Sequence, residues 1–517
     1  MPSDTDTGKR ALPLAVRVAD AAVLVLAAAA LWIAFLGGHR YLIFGIVVSL
    51  RSPLLSMYAA ASILIVRHLL WPRPTILQRL IAARRSLEAC SDLAPALRAF
   101  VATRPAVLLV GFLAVVTFGI ARPPGFELSK DPLANLPARF DAGWYGNIAL
   151  KGYSWDHTFQ RQRNIAFFPA LPMMMRPVGA VFGMYDPSIP FDRRKLRGLW
   201  GGVAISLVAF LWALVYIVRL GRALIGAEAA ANAALLLAAY PFAVFFSAPY
   251  TESLYLLSAA GAFYHFGRGE WKASSAWGLL LGLTRPNGCL ASVPLAILGA
   301  QQIFQSARGG DGTGFGTRDS ELGARDSGLE TVASAFRRKD NPGFDLKAVD
   351  WKLIAVRLVT AAMPGIGMLL FTAYLHSFTG VWFAWTRSHE AWGRSYQGLA
   401  PFVTAFEWLR DEPLMQVIAG VPFNALNTMG VLFALALTYP VFRRLGLAWG
   451  VFVLINLVPP LFAGGVLSMG RLTSTLFPIF FALALLIRPR TLPAWTAGFA
   501  LAQGLCAALF FTWRQLY

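Results

Sequence analysis

IAFFPALPMMMRPVGAVFGM, residues 165–184, is the stretch on which the topology of this chain turns. It is apolar enough for a membrane crossing, which takes roughly 20 mostly apolar residues. Pro169, Pro172 and Pro177 interrupt it, however, and Arg176 stands near its middle. Each proline removes a backbone donor, and an unpaired arginine at mid-bilayer is costly. The stretch is therefore read as short helices lying in the outer interface, within one long external loop from about 122 to 196.

That reading needs a membrane, and the composition supplies one. The 517 residues are 57% hydrophobic and only 14% charged, with a mean hydropathy of +0.57, whereas a soluble domain carries about a quarter charged residues. Apolar runs occur near 21–38, 53–71, 105–121, 197–218, 229–247, 252–266, 273–287, 288–304, 353–377, 423–441, 446–463, 472–487 and 493–513. They predict an all-α integral membrane protein with about thirteen transmembrane helices. The runs 252–266 and 273–287 are short, and read as tilted or partly re-entrant.

Basic residues orient the bundle. Lys9, Arg10 and Arg17 precede the first run, and segment 72–104 carries Arg73, Arg79, Arg84, Arg85, Arg98 and Arg104 against Glu88 and Asp92. Placing both inside follows the positive-inside rule. Arg219, Arg222, Arg268, Lys272, Arg443, Arg444, Arg488 and Arg490 then fall on the cytoplasmic side too, provided 165–184 does not cross. The net charge of +20 is thus a topology signal and implies no nucleic-acid partner. The three cysteines, Cys90, Cys289 and Cys506, are widely spaced and form no metal-ligand pattern. The run from Ala21 lacks a clear cleavage site and reads as a retained first span.

Four regions follow. Residues 1–104 hold two spans and a basic cytoplasmic segment; 105–304 form a core that includes the external loop 122–196. Residues 305–350, rich in Gly, Ser, Asp and Arg, read as a flexible cytoplasmic linker; GGDGTGFG there has no following Lys and is no phosphate loop. Residues 351–517 hold the remaining spans and a second external loop, 378–422.

In this orientation the unusual polar residues gather at one face. The first loop contains FDAGWYGNIALKGYSWDH (140–157), with Asp141, Trp144, Tyr145, Asp156 and His157. PYTES brings Glu252, TRPNG brings Arg285 and Asn287, the late loop brings Arg387, His389, Glu390 and Arg394, and SMGR brings Arg471. Aromatic faces pack on sugar rings, guanidinium forks grip phosphate oxygens, and a carboxylate can accept a hydroxyl proton. Plainer roles stand beside these. Asp141 and Glu252 could each cap a helix, Arg285 and Arg471 could snorkel to the interface, and His157 and His389 could be ordinary loop histidines. Trp144, Trp155, Trp382, Trp385 and Trp392 also fit an interfacial belt.

Four blocks together resemble the PIG-V-type mannosyltransferases of the C-type (GT-C) superfamily of polytopic glycosyltransferases. They are FDAGWYGNIALKGY with AFFPALPMMMR (140–176), YPFAVFFSAPYTESLYLL (240–257), GLLLGLTRPNG (278–288) and SMGRLTSTLFPIF (468–480). The resemblance covers roughly 105–487; the first two spans and segment 72–104 look added to the family core. Phe140 stands where the family has Trp, Arg163-Asn164 where eukaryotic members carry an acid, and Leu472 where Tyr is usual. The general character resembles bacterial relatives, which implies a multi-pass protein of the inner (cell) membrane with an extracytoplasmic active site.

The resemblance implies a GT-C-like bundle and an inverting hexosyltransferase, mannose being the family's sugar. Asp141 would be the catalytic base, and Arg285, Arg471, Arg387 and Arg394 would hold the donor phosphate. Trp144, Tyr145, Asp156, His157, Glu252 and Asn287 would line the substrate site. The implied partners are a polyprenyl-phosphate-linked sugar donor, a lipid, glycan or protein acceptor, and membrane lipids; no cofactor or metal is implied. The rival reading is a transporter or flippase for a lipid-linked sugar. Such proteins place charges on broken helices at the midplane and show inverted repeats, and no repeat is evident in this sequence.

Overall fold

The computed structural model describes residues 13–36, 39–43, 46–50, 52–81, 92–121, 127–306 and 351–516. The linker at 305–350 therefore lies almost wholly outside the described residues, as do Lys9, Arg10, Arg84, Arg85 and Cys90. The described residues form two compact units, one within 1–94 with 180–184, the other within 95–179 with 185–517.

In the first unit, helices Leu14–Leu36 and Pro53–Leu70 pack against each other. Helix starts at Leu14, seven residues before the apolar run, so Asp20 lies inside it. Asp20 is buried and pairs with Arg67 at 2.7 Å and with Arg79. Arg67 also donates to the carbonyls of Trp71 and Pro74, each at 2.6 Å. Between the helices lies an antiparallel pair of strands, His39–Ile43 and Ile46–Leu50, in register from His39 opposite Leu50 to Ile43 opposite Ile46. This hairpin is a departure from the all-α expectation. A hairpin satisfies its inner backbone groups across the strand pair instead of along a helix.

In the second unit, every regular element among the described residues is a helix. The thirteen apolar runs fall chiefly on helix where they are described, yet among the described residues only nine helices are long and apolar enough to cross a membrane, or ten if a bent pair counts as one. The chain is an integral membrane protein. Helices Glu252–Gly267, Trp271–Gly282 and Phe477–Leu486, with 16, 12 and 10 residues, fall short of a full crossing. Stretch 165–184 carries a short 3-10 turn at Asn164–Ala166 and one helix, Ala170–Val181, with Pro177 inside it. Its 12 residues extend about 18 Å, well under the roughly 30 Å of hydrocarbon.

The bent pair is Ala227–Ala239 with Pro241–Ser247, an 80° turn at Tyr240. Pro241 has no N–H to continue the ladder, and carbonyls near the break lose their partners. Two side chains supply them. Arg104 donates to the carbonyls of Ala238 (2.7 Å) and Ala243 (2.6 Å) and to Ser247 Oγ (3.1 Å). Gln503 Nε2 donates to Ala238 and Tyr240 at 2.9 and 2.8 Å. Arg104 was expected among the cytoplasmic loop charges. It sits instead within a helix, Leu93–Phe118, that begins twelve residues before the apolar run, and its side chain is fully buried. Close helix crossings complete the scaffold: a Cβ on Gly282 would lie 1.9 Å from the Pro364 carbonyl oxygen, so only glycine admits this approach.

Candidate active site

Asp141 occupies the cap position of helix Ala142–Lys151, but its carboxylate makes no capping bond. It receives Arg471 Nη1 at 2.7 Å, across 330 residues of sequence. The capping role left open for Asp141 is thus not the one its side chain plays. Arg471 Nε donates to Glu252 Oε1, and the same oxygen lies 2.9 Å from Arg285 Nη2. Four segments distant in sequence therefore build one alternating chain, Asp141–Arg471–Glu252–Arg285. Solvent reaches its members unequally: the Glu252 side chain is 0% exposed, Arg285 7%, Arg471 13% and Asp141 22%.

Local backbone geometry aims these groups. Phe140 (φ 44°) and Ser468 (φ 59°) both adopt the left-handed region, immediately before Asp141 and at the cap of the short Arg471 helix, Met469–Thr473. Such residues cost on the order of 1–3 kcal/mol and cluster at functional sites. Phe140 is held there by its ring, 4.5 Å from that of Trp513. Asn427 fixes the Arg471 helix by accepting the Gly470 N–H at 2.8 Å while donating to the Leu516 carbonyl.

A second layer secures the charges. The guanidinium of Arg471 lies over Tyr250 at 4.7 Å, and that of Arg285 over Tyr255 at 4.9 Å. The Tyr250 hydroxyl accepts the Asp141 backbone N–H at 3.0 Å and donates to the Arg139 carbonyl. Tyr255 and Asn287 both donate to Asn456 Oδ1, at 2.9 and 2.8 Å. Arg285 Nε and Glu252 Oε2 are buried with no hydrogen-bond partner among the described residues.

The late loop closes on the same place. Trp392 packs edge-on to Trp144 (5.8 Å) and Phe167 (5.6 Å), and Trp144 stacks on Phe167. Tyr145 lies beneath, against Phe167 and Tyr250; burial pushes its hydroxyl up to about 12. Arg394 donates to the Leu467 carbonyl at 3.1 Å. Burial lowers its pKa, nearby Arg471 lowers it further, and Asp141 opposes both. His389, beside Trp392, is driven down to about 4 by burial and then by Arg394, so it is neutral at pH 7.

Other candidates stand apart from the charged chain. Arg387 lies over the Phe159 ring at 4.6 Å. Asp156 is paired with Arg163, and His157 is exposed beside Trp155. Glu252, placed in the substrate site by the resemblance, is fully buried and holds two guanidiniums. Trp155 and Trp385 are partly buried against a small core that includes Phe168 and Phe371. Sequence reading missed Tyr250, Tyr255 and Asn456. Asn456 had a signal, being a lone amide inside the apolar run 446–463.

Asp141, Glu252 and Arg285 fall within one continuous stretch that is similar to a known family. Residues 127–307 match the mannosyltransferase (PIG-V) family. The resemblance seen in the first three motif blocks is shown over that stretch; the match ends before the SMGR block that carries Arg471. No curated protein sequence matches the chain. Among solved structures, the chain is similar to the Archaeoglobus fulgidus oligosaccharyltransferase in its apo form, with 12% identity and a TM-score of 0.37 over 80% of this chain and 56% of that one. The form with zinc and sulfate gives 14% and 0.35 over 79% and 53%. The AglB form with an inhibitory peptide and a dolichol-phosphate gives 13% and 0.32 over 79% and 55%. The chain spans about half the length of these structures.

Proposed function

We propose that this protein is an inverting glycosyltransferase that moves a hexose, mannose by its family likeness, from a polyprenyl-phosphate donor to an acceptor hydroxyl on the extracytoplasmic face. The observation that carries the reading is the pairing of Asp141 with Arg471, which Glu252 in turn links to Arg285. One partly exposed carboxylate and two arginines with a shared anchor suit a reaction that needs a base and a phosphate clamp. Extracytoplasmic placement rests on the distribution of basic residues.

The chemistry follows from the pairing. The donor phosphate competes with Asp141 for Arg471, because one Nη group cannot serve two anions at full strength. As the phosphate engages Arg471, Arg285 and Arg394, Asp141 regains its capacity to take a proton. It accepts the hydrogen of the acceptor hydroxyl, and the oxygen attacks the anomeric carbon from the face opposite the phosphate. The carbon–oxygen bond to phosphate breaks, its electron pair stays on the phosphate, and the configuration inverts. Glu252 keeps the two guanidiniums at fixed spacing. Trp144 and Trp392 offer aromatic surface for the sugar.

The test is transfer from a radiolabelled polyprenyl-phosphate mannose to membrane glycolipids by purified protein in vesicles, with the anomeric outcome read by NMR. A product of retained configuration would remove Asp141 as a simple base. Movement of the intact donor between leaflets without transfer would favour the transporter reading instead.

A further inference from the structure

The opening of helix Phe191–Ile225 reads FDRRKLR, with Arg193, Arg194, Lys195 and Arg197 against Asp192. Cations at a helix N-terminus oppose its dipole, and in the proposed orientation they lie where the positive-inside rule gives no reason for them. We infer that Lys195, Arg194, Lys151 and Arg176 form a binding site for the phosphate of an anionic bilayer lipid, against the flank of the Asp141 helix.

Phe191, Arg194 and Lys195 stand at spacings of three and four, hence on one helix face. The Lys151 ammonium lies over the Phe191 ring at 4.4 Å. Lys195 runs along the Asp141 helix: its Nζ is 3.8 Å from where a Cβ on Gly143 would be, and its Cε 3.5 Å from the equivalent point on Gly146. Arg176 Nη2 donates to the Ile148 carbonyl at 3.3 Å. The Nε groups of Arg176 and Arg194 are buried and have no hydrogen-bond partner among the described residues. None of the four cations forms an ion pair with a described carboxylate; the Asp186 carboxylate is engaged by Ser188.

The level of the cluster argues for a lipid over a soluble anion. A helix of 35 residues is about 52 Å long and overshoots the roughly 30 Å of hydrocarbon. Its apolar run, 197–218, begins at the last of these basic residues, which sets the cluster at headgroup height. Basic clusters beside a span attract anionic headgroups. Met173, 56% exposed and one turn before Arg176, offers apolar surface to an acyl chain. A phosphate bound here neutralises Lys195 beside Gly143 and steadies the helix that begins at Asp141.

The test is native mass spectrometry of the intact detergent-purified protein offered equal phosphatidylglycerol and phosphatidylcholine. The wild type retains phosphatidylglycerol preferentially, and Lys195→Gln and Lys151→Gln each lower that preference about five-fold, while Lys195→Arg preserves it. Unfolding temperatures are measured alongside, and Arg176→Gln is read in place of any variant that fails to fold. Equal retention of the two lipids, or an unchanged preference in folded variants, overturns the inference. So does loss of the preference on adding millimolar inorganic phosphate, which would make this a site for soluble anions. Binding is read without any sugar donor, so failure here and failure of the transfer reading are distinguishable.

Discussion

Two aspartate–arginine pairs of equal length sit in opposite surroundings in this molecule. Asp20–Arg67 and Asp141–Arg471 both close at 2.7 Å. In the first, both side chains are almost fully buried, and Arg67 spends further donors on two carbonyls while Asp20 gains Arg79. In the second, solvent reaches both partners, and the chain of charges runs on to buried groups whose hydrogen-bonding capacity is unspent, Glu252 Oε2 and Arg285 Nε. Distance alone does not separate the two pairs. Saturation and access do. A saturated pair has nothing left to offer a ligand, whereas an open one can exchange partners.

Variants can break or sharpen that contrast. Asp141→Asn should lower sugar transfer by about 10²–10⁴-fold, the usual contribution of a general base, with little change in unfolding temperature. Residual transfer near wild type would dissolve the distinction from the active-site end. Asp20→Ala should do the reverse: about 3–5 kcal/mol of stability lost from a broken buried pair, and unchanged transfer per folded molecule. Denaturation in detergent reads the first quantity; an active fraction that turns over more slowly would contradict the second.

Arg471→Lys should raise the donor KM roughly tenfold or more with a smaller change in kcat, since an ammonium cannot copy a bidentate fork. An unaltered donor KM would take the phosphate clamp away from Arg471. Arg104→Met should cost about 1–3 kcal/mol through orphaned carbonyls at the broken span, read by thermal unfolding, and leave donor KM in place. Smallest is the acid response of the late loop. The folded pKa of His389 lies below its ordinary 6.5, near 4, so the unfolded loop binds the extra proton between those values. Stability is therefore full above about pH 6.5 and falls as pH drops toward 4. Hydrogen exchange at 384–394 should quicken over that window in the wild type and not in His389→Phe.

Much of the site could be read in the sequence because its charges stand in short blocks between apolar runs. Asp141, Glu252, Arg285 and Arg471 were each singled out there, and the fold brings them into one chain of contacts. Sequence could not reveal which charge meets which, because these contacts span up to 330 residues. Hence Arg387, equal to Arg394 on paper, turns out to lie on Phe159. Spans were legible as apolar runs but not as lengths: helix persists through Asp20 and Arg104, where a buried partner satisfies each charge. The turn at Pro241 was hidden for the opposite reason. A proline within an apolar run announces a break but not its angle.

That 80° turn has a mechanical consequence. Straight spans must tilt when a bilayer thickens or thins, carrying their ends with them. A segment folded sideways, with its carbonyls stapled by Arg104 and Gln503, has no such length to match. Tyr250 and Glu252 follow directly from this shelf. Residues carried on this shelf are thereby less bound to acyl-chain length than those at the ends of the straight spans.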